Sequence, residues 1–468
     1  MMDLQQLQQW LPDSQLVGDP RQPVTRVHSD TRSLQSGDLF VALRGDNFDG
    51  NQFLAQARVA GAAAAITHSR AALEQAGLPG VVVADSKQAL GIVATRWRDG
   101  FTMPLIAVTG SNGKTTVTQM IAAILWQWKP QAMLATLGNF NNDIGLPLTL
   151  LRLRANHAVA VVELGMNHPG EIALLASMAR PTVALVNNAQ REHLEFMETV
   201  EAVAHENGAV IAALPADGVA VFPHDDTFAP LWRSMAGERK CLTFALDTAA
   251  DITAAAPLWH DSAWTVDATT PAGALAFTLR MAGRHNVRNA LAATACSIAV
   301  GVPLAHIAAG LQCFEPVKGR SRTLQVRLGA HGCTLVDDSY NANPDSVDAA
   351  LEMLATLPGP RLMVLGDMGE VGDEGPQFHT QAGVRAKALG IESLLTLGSL
   401  SASTAAAFDG AHHYTSMPAL VQAVLEQAPG MASILVKGSR FMRLEQVVEA
   451  VMDRSRQLAA STGEAACC

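Results

Sequence analysis

The residues best equipped for chemistry form one run, Thr109-Gly110-Ser111-Asn112-Gly113-Lys114-Thr115-Thr116. Two glycines bracket two small polar residues, and a lysine and two hydroxyls follow at once. A loop of this make-up lets backbone N–H groups close on phosphate oxygens, because glycine permits near approach and a helix N-terminus behind it adds a favourable dipole. Lys114 would bridge β- and γ-phosphates, and the Thr115 hydroxyl would hold Mg2+. The glycine spacing is short: the first glycine of the usual nucleotide loop falls where this chain has Val108, so the match is to Gly110-x-x-Gly113-Lys114-Thr115. Lysine is scarce, seven in 468 residues, which makes one inside such a loop more telling. A second candidate is Glu163, which ends the apolar run Val159 to Val162, where a hard carboxylate oxygen could reach a metal beside the loop. A solvated strand end is the other use of the same residue.

These groups need elements to carry them. Leu105 to Val108 reads as a strand entering the loop, and Val117 to Leu125 as the apolar face of a helix leaving it. Around this unit the apolar runs Ala132 to Thr136, Ala158 to Glu163 and Val183 to Asn187 alternate with helical periods, which predicts a parallel sheet covered on both faces. Functional residues then belong at the C-terminal strand ends. Upstream, Val24 to His28, Leu39 to Leu43, Ala62 to Ile66 and Val81 to Ala84 predict a smaller α/β unit, with a helix around Gln52 to Ala60. Downstream, Leu335 to Asp338, Leu362 to Gly366, Leu394 to Leu397 and Ile434 to Val436 repeat the alternation. The expectation is an α/β protein of three domains, 1–85, 86–318 and 319–468: a small N-terminal unit, a central parallel sheet like that of P-loop ATPases, and a C-terminal Rossmann-like unit.

Composition narrows the field. The chain is 49% apolar and only 16% charged, too apolar for disorder. Thirty-three basic against 43 acidic side chains, net −10, argue against a broad nucleic-acid surface. No stretch approaches the roughly 20 apolar residues of a membrane span, and the start does not read as a secretory signal. Six cysteines lack metal-type spacing and fit a reducing compartment, so a soluble cytoplasmic protein is expected. Cys467-Cys468 reads as a frayed end.

The loop resembles the ATP loop of the Mur ligases, ATP-dependent amide-forming enzymes of peptidoglycan precursor synthesis, and the resemblance runs over nearly the whole chain. Further segments carry it: Ser29-Asp30-Thr31-Arg32, Asn139-x-Asn141-Asn142-Asp143-Ile144-Gly145, Glu163-Leu164-Gly165-Met166-Asn167-His168, Asp337-Asp338-Ser339-Tyr340-Asn341-Ala342-Asn343-Pro344 and Leu365-Gly366-Asp367-Met368. They are most similar to the branch that joins D-alanyl-D-alanine to a UDP-muramoyl-tripeptide. The resemblance implies ATP and Mg2+, an acyl phosphate opened by an amine, and a monomer with small-molecule substrates. It implies catalytic roles for Lys114, His193 and Arg320, and nucleotide contacts from Gly110, Ser111, Asn112, Gly113, Lys114, Thr115, Thr116, Asn289, Arg320 and Asp338. Thr115, Glu163 and His193 would hold metal. Ser29, Asp30, Thr31 and Asp49 would meet the uridine diphosphate, and Asn139, Asn141 and Asn142 the peptide or phosphates; Asp, Ser and Gly also favour turns for their own sake.

One departure stands out. Mur ligases commonly carry a lysine, modified to a carbamate that supports Mg2+, in a context like Ala-Lys-Gly-Glu. Here the stretch reads Ala204-His205-Glu206-Asn207-Gly208-Ala209, and no lysine occurs between Lys129 and Lys240. Asn207, Glu206 or an ordered water is expected to take over that support. Two other readings remain open: a sibling ligase adding a single amino acid, and a nucleotide-binding regulator without chemistry.

Overall fold

A computed structural model describes residues 1–45, 48–329 and 331–462; the Cys467-Cys468 pair lies outside them. Three large sheets organise the chain. The first has five strands in the order Gln15–Val17, Gly80–Val82, Ala64–Thr67, Asp38–Val41, Arg26–His28, parallel except at the Gln15–Val17 edge. The helix Ser86–Arg98, capped by Asp85, buries Ala89, Leu90, Val93 and Ala94 in a core shared by the first and second sheets. No helix among the described residues is long and apolar enough to cross a membrane.

The second sheet has ten strands. Its parallel part runs Met133–Ala135, Val159–Glu163, Leu105–Thr109, Val183–Val186, Val219–Pro223, Lys240–Ala245, Ile252–Ala254. All residues of Leu105–Thr109, Val159–Glu163 and Val183–Val186 are buried, as continuous β-branched runs between two helical layers require. On one face pack the helices Lys114–Trp128 and Arg284–Ala299, through Val117, Ile121, Ile124, Leu291 and Ala295. The chain first crosses from Leu105–Thr109 to one side, then returns past it to Val183–Val186. That central strand is therefore the switch point where an open α/β sheet leaves a crevice. Beyond Ile252–Ala254 the sheet turns antiparallel, through Ala263–Thr270, Leu258–His260 and Gly273–Leu279. The strands expected from the apolar runs are parallel, and the antiparallel strands added beyond them alternate small apolar and polar residues, because one face stays in solvent.

The third sheet runs Arg322–Arg327, Gly332–Asp338, Ser433–Lys437, Arg361–Gly366, Ser393–Leu397, His412–Tyr414, with only Arg322–Arg327 antiparallel. Apolar clusters cover both its faces, one around Val336, Leu351 and Leu354, the other around Leu335, Leu362 and Val447. The C-terminal ends of Gly332–Asp338 and Ser433–Lys437 turn toward the crevice of the second sheet, because Asp338 and Lys437 both line its cavity.

Candidate active site

The loop after Leu105–Thr109 bends through Gly110 at φ +129° and Gly113 at φ +82° into the helix that begins at Lys114. Glycine is required at 113 for space as well as conformation: a Cβ would sit 2.7 Å from both Asn187 Nδ2 and Asn289 Oδ1. Those amides form the floor of the loop, Asn187 Nδ2 donating to Asn289 Oδ1 at 3.0 Å. The loop wall is tied to the segment after Val183–Val186: Asn112 N donates to Asn188 Oδ1 at 2.8 Å and Gln190 N to Ser111 Oγ at 2.9 Å.

The first bend hangs on Asn207. Its Oδ1 accepts from Gly110 N at 2.8 Å and from the Thr109 hydroxyl, and its Nδ2 donates to Val203 O at 3.1 Å. Glu206 accepts from Gly170 N at 2.9 Å and Ile172 N at 2.7 Å, which caps the helix Glu171–Ala179. Of the two residues expected to replace the carbamate, both are committed elsewhere, and neither lines the cavity. That expectation is corrected here: residue 207 holds the loop itself.

The charged groups gather beside the loop. Lys114 folds back, Nζ donating to Gly110 O at 2.6 Å, Ser111 O at 3.1 Å and Glu192 Oε1 at 2.9 Å. Glu192 is 8% exposed at its side chain. Burial pushes its carboxyl upward, but the Lys114 and His193 charges outweigh this and hold it below the usual carboxylate range. Glu163 Oε1 accepts from Thr115 Oγ1 at 3.2 Å and Asn141 Nδ2 at 2.7 Å. The second oxygens of both acids, Glu163 Oε2 and Glu192 Oε2, are buried without a hydrogen-bond partner. An unsatisfied buried carboxylate oxygen is costly, and hard oxygen donors suit a divalent cation such as Mg2+. No group of three or more His, Cys, Asp or Glu among the described residues is arranged to hold a metal unaided, so phosphate oxygens and water would complete the shell, as is usual for Mg2+.

His193 lies between two carboxylates, Nε2 3.5 Å from Glu192 Oε1 and Nδ1 2.5 Å from Glu370 Oε2. The Nδ1 contact is an ion pair rather than a well-aligned hydrogen bond, since that nitrogen has no partner of hydrogen-bond geometry. Burial alone would lower its pKa; the two acids overcome that and raise it to about 9. These contacts place His193, expected as a metal ligand, in the cavity lining, where it also links the second and third sheets. His193, Ser321 and Glu370, at φ +52°, +49° and +58°, are non-glycine residues held left-handed at this junction, at a cost of order 1 kcal/mol each.

From the third sheet, Asp338 and Lys437 face each other in register, Nζ donating to Asp338 Oδ2 at 2.6 Å and to Asn341 O at 3.0 Å. Ser321 N donates to Asp338 Oδ1 at 2.9 Å, and the Arg320 guanidinium lies 4.0 Å above the Tyr340 ring. Asn343 Nδ2 donates to Asn112 Oδ1 at 3.0 Å, and Arg191 pairs with Asp345 at 2.8 Å.

A cavity of about 730 Å³ opens between these walls. Of the residues singled out in the sequence, Ser111 to Thr116, Asn139, Asn141, Asn142, Glu163, His193, Asn289, Arg320 and Asp338 line it, while Gly110 only shapes the loop's first bend. Ser29, Asp30, Thr31 and Asp49 do not. Asp30 accepts from Arg32 N at 3.0 Å, and the Arg32 guanidinium holds its carboxyl at about 2; Asp49 accepts from Asn51 N at 2.9 Å. Both cap short turns. Asn142 Oδ1 likewise accepts from Gly145 N at 2.8 Å. Glu192 and Lys437 went unrecognised in the sequence.

Three family models match successive stretches: Mur ligase family, catalytic domain, at 23–98; Mur ligase middle domain, at 108–297; and Mur ligase, glutamate ligase domain, at 321–440. The chain is 41% identical over 432 residues to the UDP-N-acetylmuramoyl-tripeptide–D-alanyl-D-alanine ligase of Escherichia coli (strain K12), covering 91% of this chain and 93% of that protein. It is 33% identical over 456 residues to the protein of the same name from Bacillus subtilis (strain 168), covering 93% and 96%. Among solved structures, MurF from Acinetobacter baumannii superposes with a TM-score of 0.88 at 33% identity, over 97% of this chain and 99% of that one. The MurF ligase of Thermotoga maritima in complex with ADP shares the fold, with a TM-score of 0.81 at 24% identity, over 93% and 99%.

Proposed function

The chain belongs to the Mur ligase family, and from that premise we propose that it is the ligase joining D-alanyl-D-alanine to UDP-N-acetylmuramoyl-tripeptide at the expense of ATP, releasing ADP and phosphate. The observation that carries this reading is full-length similarity to ligases of that name, together with a loop whose lysine is buried beside the cavity rather than turned into solvent.

The chain's own groups suit a reaction in which a carboxylate takes the γ-phosphoryl and an amine then opens the acyl phosphate. No protein nucleophile is needed; catalysis rests on alignment and charge neutralisation. The loop N–H groups and Lys114 grip the phosphates. Asn187 and Asn289 hold the loop's second glycine from beneath, and Asn207 its first. Arg320 stacks on Tyr340 at the cavity wall, within the lining where an anion would lie. Thr115 and Glu163 are the residues that would hold Mg2+, which when bound neutralises phosphate charge. Asp338, paired with Lys437 on the neighbouring strand, lines the cavity where the nucleotide would lie. Asn139 and Asn142 line the side of the cavity assigned to the peptide, and the turns at Ser29-Asp30-Thr31 and Asp49 are assigned to the uridine diphosphate. The protein works as a monomer in the cytoplasm.

Incubation with ATP, Mg2+, the UDP-muramoyl-tripeptide and D-alanyl-D-alanine is expected to yield ADP and a pentapeptide product. Release of AMP, or turnover indifferent to the dipeptide, sinks the reading. A panel of single amino acids in place of the dipeptide separates it from a sibling ligase. Lys114→Ala is expected to abolish product while leaving the circular-dichroism spectrum unchanged.

A further inference from the structure

Glu192 is the carboxylate the sequence did not single out. It follows the buried strand Val183–Val186 at the switch point, and its main chain is fixed by Glu192 N donating to Gln190 O at 2.8 Å. One of its oxygens pairs with Lys114, 78 residues away; the other is buried and unpartnered, on a residue that lines the cavity. Around Lys114 Nζ stand three oxygens, two loop carbonyls and this carboxylate, at 2.6, 3.1 and 2.9 Å. An ammonium in a cage of oxygens occupies the kind of place a metal cation takes.

The arrangement has a consequence once a polyphosphate enters the loop. Lys114 cannot serve both the phosphates and Glu192 at full strength. Drawing the ammonium toward the phosphates strips a carboxylate that has almost no contact with solvent of its main counter-charge, and leaving a buried charge uncompensated is strongly unfavourable. The His193 ring stands 3.5 Å from the same oxygen but is shared with Glu370. A second cation removes the penalty, and an unpartnered oxygen is already in place to receive it.

We propose that Glu192 is a divalent-cation ligand that exchanges Lys114 for the metal when nucleotide binds, so that each tightens the binding of the other. The ligand class is a hard divalent cation bound together with a nucleoside triphosphate. The inference rests on the nucleotide reading above.

The test uses the full chain and a non-hydrolysable ATP analogue in a calorimeter, once with EDTA and once with saturating Mg2+. The quantity read is the ratio of the two dissociation constants, compared between proteins so that chelation by the analogue itself cancels. Glu192→Gln is expected to bind the metal-free analogue more tightly than the wild type, because Lys114 is released. It is also expected to lose at least about tenfold of the Mg2+ enhancement, within the usual range of coupling between sites. An unchanged ratio, or a metal-free affinity that falls together with the Mg2+-loaded one, overturns the proposal and makes Glu192 a support for the loop. Should Glu192→Gln fail to fold, Lys114→Met supplies the second arm. Without nucleotide, it is expected to bind Mn2+ more tightly than the wild type by electron paramagnetic resonance, and equal or weaker binding overturns the exchange. If the wild type binds no analogue under either condition, the nucleotide reading itself fails, which is a distinct result.

Discussion

Replacing Asn207 by leucine separates a loop-holding role from a metal-supporting one. The side chain is 1% exposed and nearly isosteric with leucine, so the change removes an acceptor with little change of shape. Gly110 N loses a 2.8 Å bond and the buried Thr109 hydroxyl loses its partner. The Val203 carbonyl lies in the helix Val200–Ala212 and keeps its place there. An orphaned buried donor costs about 1–3 kcal/mol, so the two together predict a loss of roughly 2–6 kcal/mol, or about 1–3 kcal/mol if the hydroxyl rotates to another acceptor. For a unit of this size, at about 2–4 °C per kcal/mol, the two-donor loss lowers the melting temperature by about 4–24 °C. The loop must then be ordered by its ligand, so the dissociation constant for an ATP analogue in EDTA is expected to rise at least tenfold. Differential scanning calorimetry and isothermal titration read the two effects. Glu206→Gln is the control: it touches only the cap of Glu171–Ala179, with an expected loss of about 1 kcal/mol or less and unchanged nucleotide affinity. If Asn207→Leu melts with the wild type and binds the metal-free analogue equally well, while only the Mg2+ dependence shifts, the loop-holding account is refuted.

Other outcomes follow from the same geometry. Gly113→Ala forces a left-handed alanine, about 1–2 kcal/mol, and parts the Asn187–Asn289 pair, another 0.5–1.5 kcal/mol or so; nucleotide affinity measured by calorimetry is expected to fall by roughly tenfold to a hundredfold. Turnover in CO2-free buffer is expected to equal that with added bicarbonate, because no lysine is present to carry a carbamate; a several-fold stimulation by bicarbonate contradicts the assignment of residue 207. His285, beside the cavity, is pushed by burial to about 4, with Lys437 adding to the shift and Asp338 opposing it. A histidine with a lowered folded-state value refuses a proton that the unfolded chain accepts, so stability is full above pH 6.5 and falls as pH drops toward 4. The shift of 6.5 to about 4 bounds the loss at about 3 kcal/mol, an upper limit because the ring keeps an edge on the cavity. Chemical denaturation at pH 7.5 and 4.5 is expected to show a smaller difference for His285→Gln than for the wild type.

How far the site could be read in advance depended on whether its parts were neighbours in sequence. The phosphate loop was legible because strand, glycines, lysine and helix are contiguous and each demands the others. Glu163 was legible because a carboxylate ending a run of buried valines has few places to go but the end of a sheet. The hairpins of Ala263–Thr270 and Gly273–Leu279 were not: their inward residues, Val266, Ala268 and Leu275, are spaced by two but are too few and small to stand out. Lys437 and Asp338 lie 99 residues apart, and only the register of two parallel strands sets them side by side. Glu192 is the instructive case. Its residue type pointed nowhere, and the family pattern drew attention to His193 beside it and to position 207 beyond. Yet a signal was present in Arg191-Glu192-His193, three ionisable residues in succession directly beyond the strand next to the loop. At a switch point such a run cannot all face solvent, because the third sheet closes over it; each charge then has to find a partner across the crevice. Arg191 finds Asp345, His193 finds Glu370, and Glu192 turns inward to the lysine of the loop. The inward turn follows from which charges the third sheet supplies, and that is a property of the assembled fold that no window of sequence contains.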